Sequence, residues 1–202
     1  EDIGLGDLTT AATVLPSVRG IGKIIAKSPG VIAGLAVAEQ VFRQLAPNKS
    51  ERAISFLPRI QDGETVESYT TIAEIEGSAK SILVGERTAL NFLQRLSGTA
   101  TLTTQFVNAI SHTSAQIVDT RKTTAGWRLL QKYAVRVGGG RNHRFGLYDG
   151  ILIKDNHIVA AGGIKSAIAG AKKTIPHTLK VEVEVKMLDQ ISEALEAGAD
   201  II

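Results

Sequence analysis

Cysteine is missing altogether from the 202 residues. Disulfides and thiolate metal sites are therefore excluded, and a reducing compartment fits without being required. Aromatic residues make up only 4%, too few for a surface on which the bases of a single strand could stack. The formal charge is a mild +3, so the charge of the whole chain gives no argument for a nucleic-acid partner. No apolar run approaches the ~18 residues of a membrane-spanning helix. The four histidines, His112, His143, His157 and His177, have no metal-ligand spacing. No internal repeat, low-complexity tract or long linker is visible. What the chain does have is 44% hydrophobic residues, enough for a sizeable core in one large domain or two small ones.

The positive charge is local. Residues 119–157 read DTRKTTAGWRLLQKYAVRVGGGRNHRFGLYDGILIKDNH. They hold Arg121, Lys122, Arg128, Lys132, Arg136, Arg141, Arg144 and Lys154, against acids only at Asp119, Asp149 and Asp155. Both ends look like short apolar strands, IVD running into Thr120 and GILIK running into Asp155. Cations gathered where strands stop suit a pocket for a small polyanion.

Two rhythms divide the chain. In the first eighty residues the pattern predicts short strands at 18–26, 52–58 and 71–77. One helix lies near 36–45 with Val37, Val41 and Leu45 on its face, ended by Pro47-Asn48. Residues 1–10 read as a loop, and Asp62-Gly63 as a hairpin signal. A strong helix follows at 86–96, interrupted by Gly98, with a second suggested by Leu102, Phe106, Val107 and Ile110. Beyond it, strand-like runs at 115–119, 150–154, 180–185 and 199–202 alternate with helical patterns at 126–137, 164–173 and 188–197, the signature of an α/β sheet or barrel. On the first of these helices Trp127, Leu130, Ala134 and Val137 lie on one side, with Arg128, Lys132 and Arg136 on the other. The division falls near Gly98, giving expected domains of residues 1–98 and 99–202.

Alternation sorts the strand residues. In 180–185, Val181, Val183 and Val185 face one way and Lys180, Glu182 and Glu184 the other. In a barrel the apolar face packs on the outer helices, and charged residues near the C-terminal end of the strand reach the mouth. Glu184 lies nearer that end than Glu182. An edge strand with solvated glutamates would give the same pattern. Arg121 and Lys122 directly follow a strand and precede Thr123, Thr124 and a helix. They are either anion ligands or solvated loop residues. Gly138-Gly139-Gly140 fits a helix C-cap; it is neither a dinucleotide fingerprint nor a Walker loop. His112 and His177 read as surface residues, and His157 as a local hydrogen-bonding partner within its turn. His143 gains interest only from the cations beside it.

The segment DTRKTTAGWRLLQKYAV…GGGRNHRFGLYDGILIKDNHI closely resembles the quinolinate phosphoribosyltransferase family. The likeness extends to EDIGLGDLTT, to GERTALNFLQRLSGTAT and to VEVEV, and so spans nearly the whole chain. Ala125 and Trp127 depart from the residues more usual there, and neither is ionisable. The resemblance implies an N-terminal α/β sandwich followed by an incomplete α/β, TIM-like barrel, and a homodimer in which the partner completes each active site. It implies transfer of phosphoribosyl from 5-phosphoribosyl-1-pyrophosphate to quinolinate, with decarboxylation. The products would be nicotinate mononucleotide, pyrophosphate and carbon dioxide, in de novo NAD synthesis, with Mg2+ carried on the donor.

Carried over motif by motif, the resemblance gives quinolinate to Arg121, Arg144 and Lys154, with His143 alongside. Arg87 reaches the partner's site, and Lys27 aligns loosely with a basic residue offered across the dimer. Thr120 and Lys122 place substrate or donor phosphates. Glu184 lies at the ribose, so that Lys122, Lys154 and Glu184 form the catalytic set. The substrates suit these residues, because a dicarboxylate and a polyphosphate both demand fixed cations, and arginine forks match carboxylates. A nicotinate phosphoribosyltransferase, a homologue attached to molybdate transport, and a non-catalytic relative are the rival readings. No nucleic-acid or membrane partner is expected, and the location would be cytoplasmic, or plastid if a transit segment has been removed. Because the last residues, GADII, enter a strand, the chain is expected to be a fragment, inactive if it stops there.

Overall fold

The computed structural model describes residues 2–45 and 54–202. They pack as two compact units, Glu1–Asn142 and His143–Ile202.

The first unit opens with a short helix α1 (Leu8–Thr13), started where the Asp7 carboxylate accepts the Thr10 N–H at 2.9 Å; the loop expected over residues 1–10 thus gives way at Leu8. Strands β1 (Arg19–Ile25) and β2 (Gly30–Val31), helix α2 (Leu35–Gln44), and strands β3 (Ser55–Pro58), β4 (Thr65–Val66) and β5 (Thr71–Ser78) follow. An antiparallel sheet has the order β1-β5-β3, with Arg19 opposite Ser78 and Pro58 opposite Ala73; β2 pairs separately with β4. Its core gathers Ile24, Ile72, Ile75, Phe42 and Leu93. The buried stripe of α2 is Leu35, Ala38 and Phe42, with Val37 and Val41 at its margins. Pro47-Asn48 and the first part of the strand expected at 52–58 lie outside the described residues.

Asp62-Gly63 does not close a hairpin, because the strands flanking it pair elsewhere. Asp62 instead caps a helix from a distance. Gly34, at the start of α2, has φ 105° and offers no side chain of its own. The Asp62 carboxylate accepts the Gly34 and Leu35 N–H groups at 2.8 and 3.1 Å. A Cβ on Gly34 would meet Leu96 Cδ1 at 2.7 Å, so both backbone angle and space require glycine there.

Helix α3 (Ala79–Ala109) runs unbroken for 31 residues, through Gly98. The interruption expected at that glycine fails on magnitude. Glycine inside a helix costs about 1 kcal/mol relative to alanine, while burying one leucine contributes roughly 1.5–3 kcal/mol. Leu93 and Leu96 before Gly98, and Ala100 and Thr103 after it, are all buried. Helix α4 (Arg128–Val137) packs on α3 through Leu96, Ala100 and Ala134, with Trp127 and Leu130 at the margin. The triple glycine lets α4 end against α3. A Cβ on Gly138 would stand 2.4 Å from the Ala100 carbonyl oxygen, and one on Gly140 would stand 2.8 Å from Val135 Cγ1. The strand expected at 115–119 shrinks to one parallel bridge, Val118 to Arg141.

The second unit is a parallel β/α segment. Strand β6 (Ile151–Ile153) leads into α5 (Asp155–Ala161), which sequence reading did not anticipate, and then into α6 (Ile164–Thr174). Strand β7 (Val181–Val183) and α7 (Leu188–Glu196) complete it. β6 and β7 are parallel, and Glu182 bridges on to Ile201, again in parallel. Val181, Val183 and Ile153 are buried against Ile164, Ile168 and Ala194 of the helices, as their alternation requires. The fold class is α/β, with an N-terminal sheet-and-helix domain followed by part of an α/β barrel.

Candidate active site

Strand register sets the first pair of site residues. Ile153 lies opposite Val183 in the parallel ladder, so the next residues, Lys154 and Glu184, leave neighbouring strands side by side at the C-terminal edge. The Glu184 N–H donates to the Ile153 carbonyl at 2.9 Å, extending the ladder by one step. Lys154 Nζ lies 3.4 Å from Glu184 Oε2, each side chain being about half exposed (46% and 48%). The surrounding turn is tied down. His157 Nδ1 accepts the Lys154 N–H at 2.9 Å, the local role expected of that histidine. Lys186 Nζ donates to Asp155 at 2.8 Å. That hydrogen bond, followed by the one the Asp155 carboxylate accepts from the Asn156 N–H, holds the Asp155 carboxyl below its ordinary range, and the contact with Asp155 raises the Lys186 ammonium.

His143 and Arg144 stand on the loop that enters β6. His143 Nε2 lies 2.8 Å from Glu182 Oε2, and its Nδ1 accepts the Arg144 N–H at 2.8 Å. The Arg144 guanidinium donates to the Gly150 carbonyl at 3.1 Å. Asp149 draws the loop closed by accepting the Phe145 and Gly146 N–H groups at 2.6 and 2.8 Å. A cleft of about 220 Å³ opens here, lined by His143, Arg144, Lys180 and Glu182 among others. Glu182 was not singled out from the sequence. Its alternation with Val181 and Val183 put it on the face of Glu184, but nothing local showed that a histidine 39 residues earlier would meet it.

In the first unit, Thr120, Arg121 and Lys122 follow the Val118 bridge. Several of the backbone N–H groups of this loop are used internally. Thr120 Oγ1 accepts the Lys122 N–H at 3.0 Å, the Thr123 N–H reaches the Arg121 carbonyl at 2.9 Å, and Gln131 Oε1 accepts the Thr124 N–H at 2.8 Å. Arg128 braces the same turn through Thr123 Oγ1 and the Arg121 carbonyl. Lys132 departs from the polar helix face expected of it. It is buried, its ammonium paired with the Asp119 carboxylate, which also accepts from the Asn142 amide. Asn142 donates in addition to the Lys132 carbonyl at 2.8 Å. The carboxylate next to the cationic loop is thus neutralised from within.

Arg87 is exposed on α3. Lys27 is exposed after β1, its ammonium 5.8 Å from the centre of the Tyr69 ring. His112 and His177 are exposed. Among the described residues no three or more histidine or acidic side chains gather as a metal cage, and no helix is long and apolar enough to cross a membrane.

Two family models match, quinolinate phosphoribosyl transferase N-terminal domain over residues 7–97 and C-terminal domain over residues 99–202. The chain belongs to the quinolinate phosphoribosyltransferase family. Among its relatives, a probable nicotinate-nucleotide pyrophosphorylase [carboxylating] of Bacillus subtilis (strain 168) is 46% identical over 202 residues, which are all of this chain and 68% of that protein. A mitochondrial quinolinate phosphoribosyltransferase [decarboxylating] of Nicotiana glauca is 40% identical over 97% of this chain and 55% of its own length. The crystal structure of NadC from Streptococcus pyogenes superimposes with a TM-score of 0.92 at 43% identity, covering 98% of this chain and 69% of that one. The chain thus spans about two thirds of these bacterial proteins and just over half of the plant one.

Proposed function

We propose that the intact enzyme transfers phosphoribosyl from 5-phosphoribosyl-1-pyrophosphate to quinolinate and decarboxylates the product to nicotinate mononucleotide. The observation that carries this reading is the pairing of a lysine and a glutamate, Lys154 and Glu184, at the C-terminal edge of two parallel strands. A cation for a substrate carboxylate and an anion for a developing sugar cation leave the same edge. In open and closed α/β sheets that edge is where ligands bind.

In this reading Arg121, Arg144 and Lys154 serve the two carboxylates, with His143 beside Arg144. Thr120 and Lys122 serve substrate or donor phosphates. Glu184 lies at the ribose and favours positive charge developing at the anomeric carbon. Mg2+ enters bound to the pyrophosphate of the donor, as part of that substrate. The carbon–oxygen bond to pyrophosphate breaks, and the pyridine nitrogen takes its place. The carboxylate beside the now quaternary nitrogen then departs as carbon dioxide, its bonding electrons staying on the ring carbon, which takes up a proton. No side chain need form a covalent bond, and catalysis is chiefly positioning and electrostatics.

The same reading divides the chain at residues 1–98 and 99–202. It makes the enzyme a homodimer, with Arg87, and less directly Lys27, offered to the partner's site, and it puts the enzyme in the cytoplasm, or in a plastid. Calorimetric titration tests substrate choice. Quinolinate should bind at least about tenfold more tightly than nicotinate, because the second carboxylate adds charge-assisted hydrogen bonds worth roughly 1.5–3 kcal/mol. Equal affinity for the two acids would count against the diacid reading.

A further inference from the structure

We infer that Glu182 is a positioning residue for quinolinate, acting through His143 on Arg144; the inference rests on the role proposed for Arg144. The geometry has three links. The Arg144 N–H donates to His143 Nδ1 at 2.8 Å, so that nitrogen presents its lone pair and the ring proton sits on the other. The Nε2–H tautomer then donates to Glu182 Oε2 at 2.8 Å. Such a carboxylate–imidazole contact fixes both tautomer and ring orientation. Beyond the imidazole, the Arg144 guanidinium reaches the Gly150 carbonyl at 3.1 Å, at the entry to β6.

Glu182 is well placed to be the fixed end of this chain. It sits in the middle of β7, opposite Leu152, and its backbone neighbours Val181 and Val183 are almost fully buried. Its side chain is 25% exposed and that of His143 29%, so the contact is only partly open to solvent. His143, expected from the resemblance to lie alongside quinolinate, thereby acquires a different task. One ring nitrogen holds the backbone of Arg144 and the other is held by Glu182. A guanidinium that must meet a carboxylate with two parallel hydrogen bonds is sensitive to small errors of placement. Loss of the anchor should therefore weaken quinolinate binding selectively.

The test uses the intact enzyme with Glu182→Ala and Glu182→Gln. Steady-state rates are measured against each substrate, and 15N spectra of histidine-labelled protein are recorded. Glu182→Ala should raise KM for quinolinate by about tenfold or more, because a positioning error of about 1 Å can cost up to ~100-fold. KM for the ribose donor should stay within about twofold. Glu182→Gln, whose amide oxygen can still accept from Nε2–H, should recover most of the quinolinate KM. The ring-nitrogen signals of His143 should report the Nε2–H tautomer in the wild type and a tautomer mixture in Glu182→Ala. Combining Glu182→Ala with Arg144→Ala should add little to Arg144→Ala alone. An unchanged quinolinate KM in Glu182→Ala would overturn the inference. So would parallel loss of both KM values and thermal stability without rescue by glutamine, since that pattern marks a merely structural role. A wild-type enzyme that does not turn over quinolinate would instead overturn the underlying reading, while the histidine spectra would still show whether Glu182 sets the tautomer.

Discussion

Lys154 Nζ lies 3.4 Å from Glu184 Oε2, each the first residue beyond the end of one of two parallel strands that stop in register at Ile153 and Val183. Both side chains are about half exposed, and such pairs contribute only about 0–1 kcal/mol to stability. Their closeness is thus poorly explained by folding and well explained by a ligand that needs both. Lys154→Ala should abolish turnover of quinolinate while shifting Tm by no more than a few degrees. A variant with a near-normal steady-state rate would remove Lys154 from its assigned role.

Lys132 should behave in the opposite way. It is buried with Asp119, and Asn142 joins the same carboxylate. Removing one partner of a buried pair leaves a charge without compensation, which costs about 3–5 kcal/mol. Lys132→Met should therefore lower the denaturation midpoint strongly, as measured by equilibrium unfolding in urea. Because Asp119 immediately precedes Thr120, Arg121 and Lys122, turnover should fall as well. A midpoint close to that of the wild type would show that the pair does not brace this loop.

Tyr133 supplies a pH dependence. Burial, followed by its hydrogen bond to Asp62, pushes the phenol up from the ordinary 10 to about 12. The folded state thus favours the protonated phenol. The resulting stability is fully present below the unfolded value near pH 10 and is lost as pH rises from there toward 12. Ultraviolet titration should show one tyrosine ionising near 12. Unfolding free energy should fall across the same window, and Tyr133→Phe should remove that part of the fall. A Tyr133 that ionised like a free tyrosine would contradict the Asp62 contact, and with it the link between the start of α2 and α4.

Periodicity reads whatever repeats within a few residues. It located β6 and β7, α6 and α7, because alternating valines and spaced apolar residues are local patterns that burial then enforces. The strand ends carrying Lys154 and Glu184 were legible for that reason. Contacts between distant positions were not. Lys132 read as a polar-face residue because its partner lies 13 positions away, and Asp62 read as a hairpin because the helix start it caps lies 28 positions before it. Glu182 was passed over for the same reason, since His143 comes from another element. Gly98 misled differently: a local helix-breaking tendency of about 1 kcal/mol was outweighed by the residues buried on either side of it. The role proposed for Arg144 came through resemblance of motif, and the structure added the hydrogen bonds by which His143 and Gly150 hold it.

The measurement that bears most directly on the central claim is release of labelled carbon dioxide. Quinolinate labelled in the carboxylate next to the ring nitrogen would be supplied to the intact enzyme with Mg2+, with and without 5-phosphoribosyl-1-pyrophosphate. The account predicts release only when the ribose donor is present, in equal amount to the nicotinate mononucleotide formed, and none from Lys154→Ala. Release without the donor, or mononucleotide formed with the label retained, would contradict it.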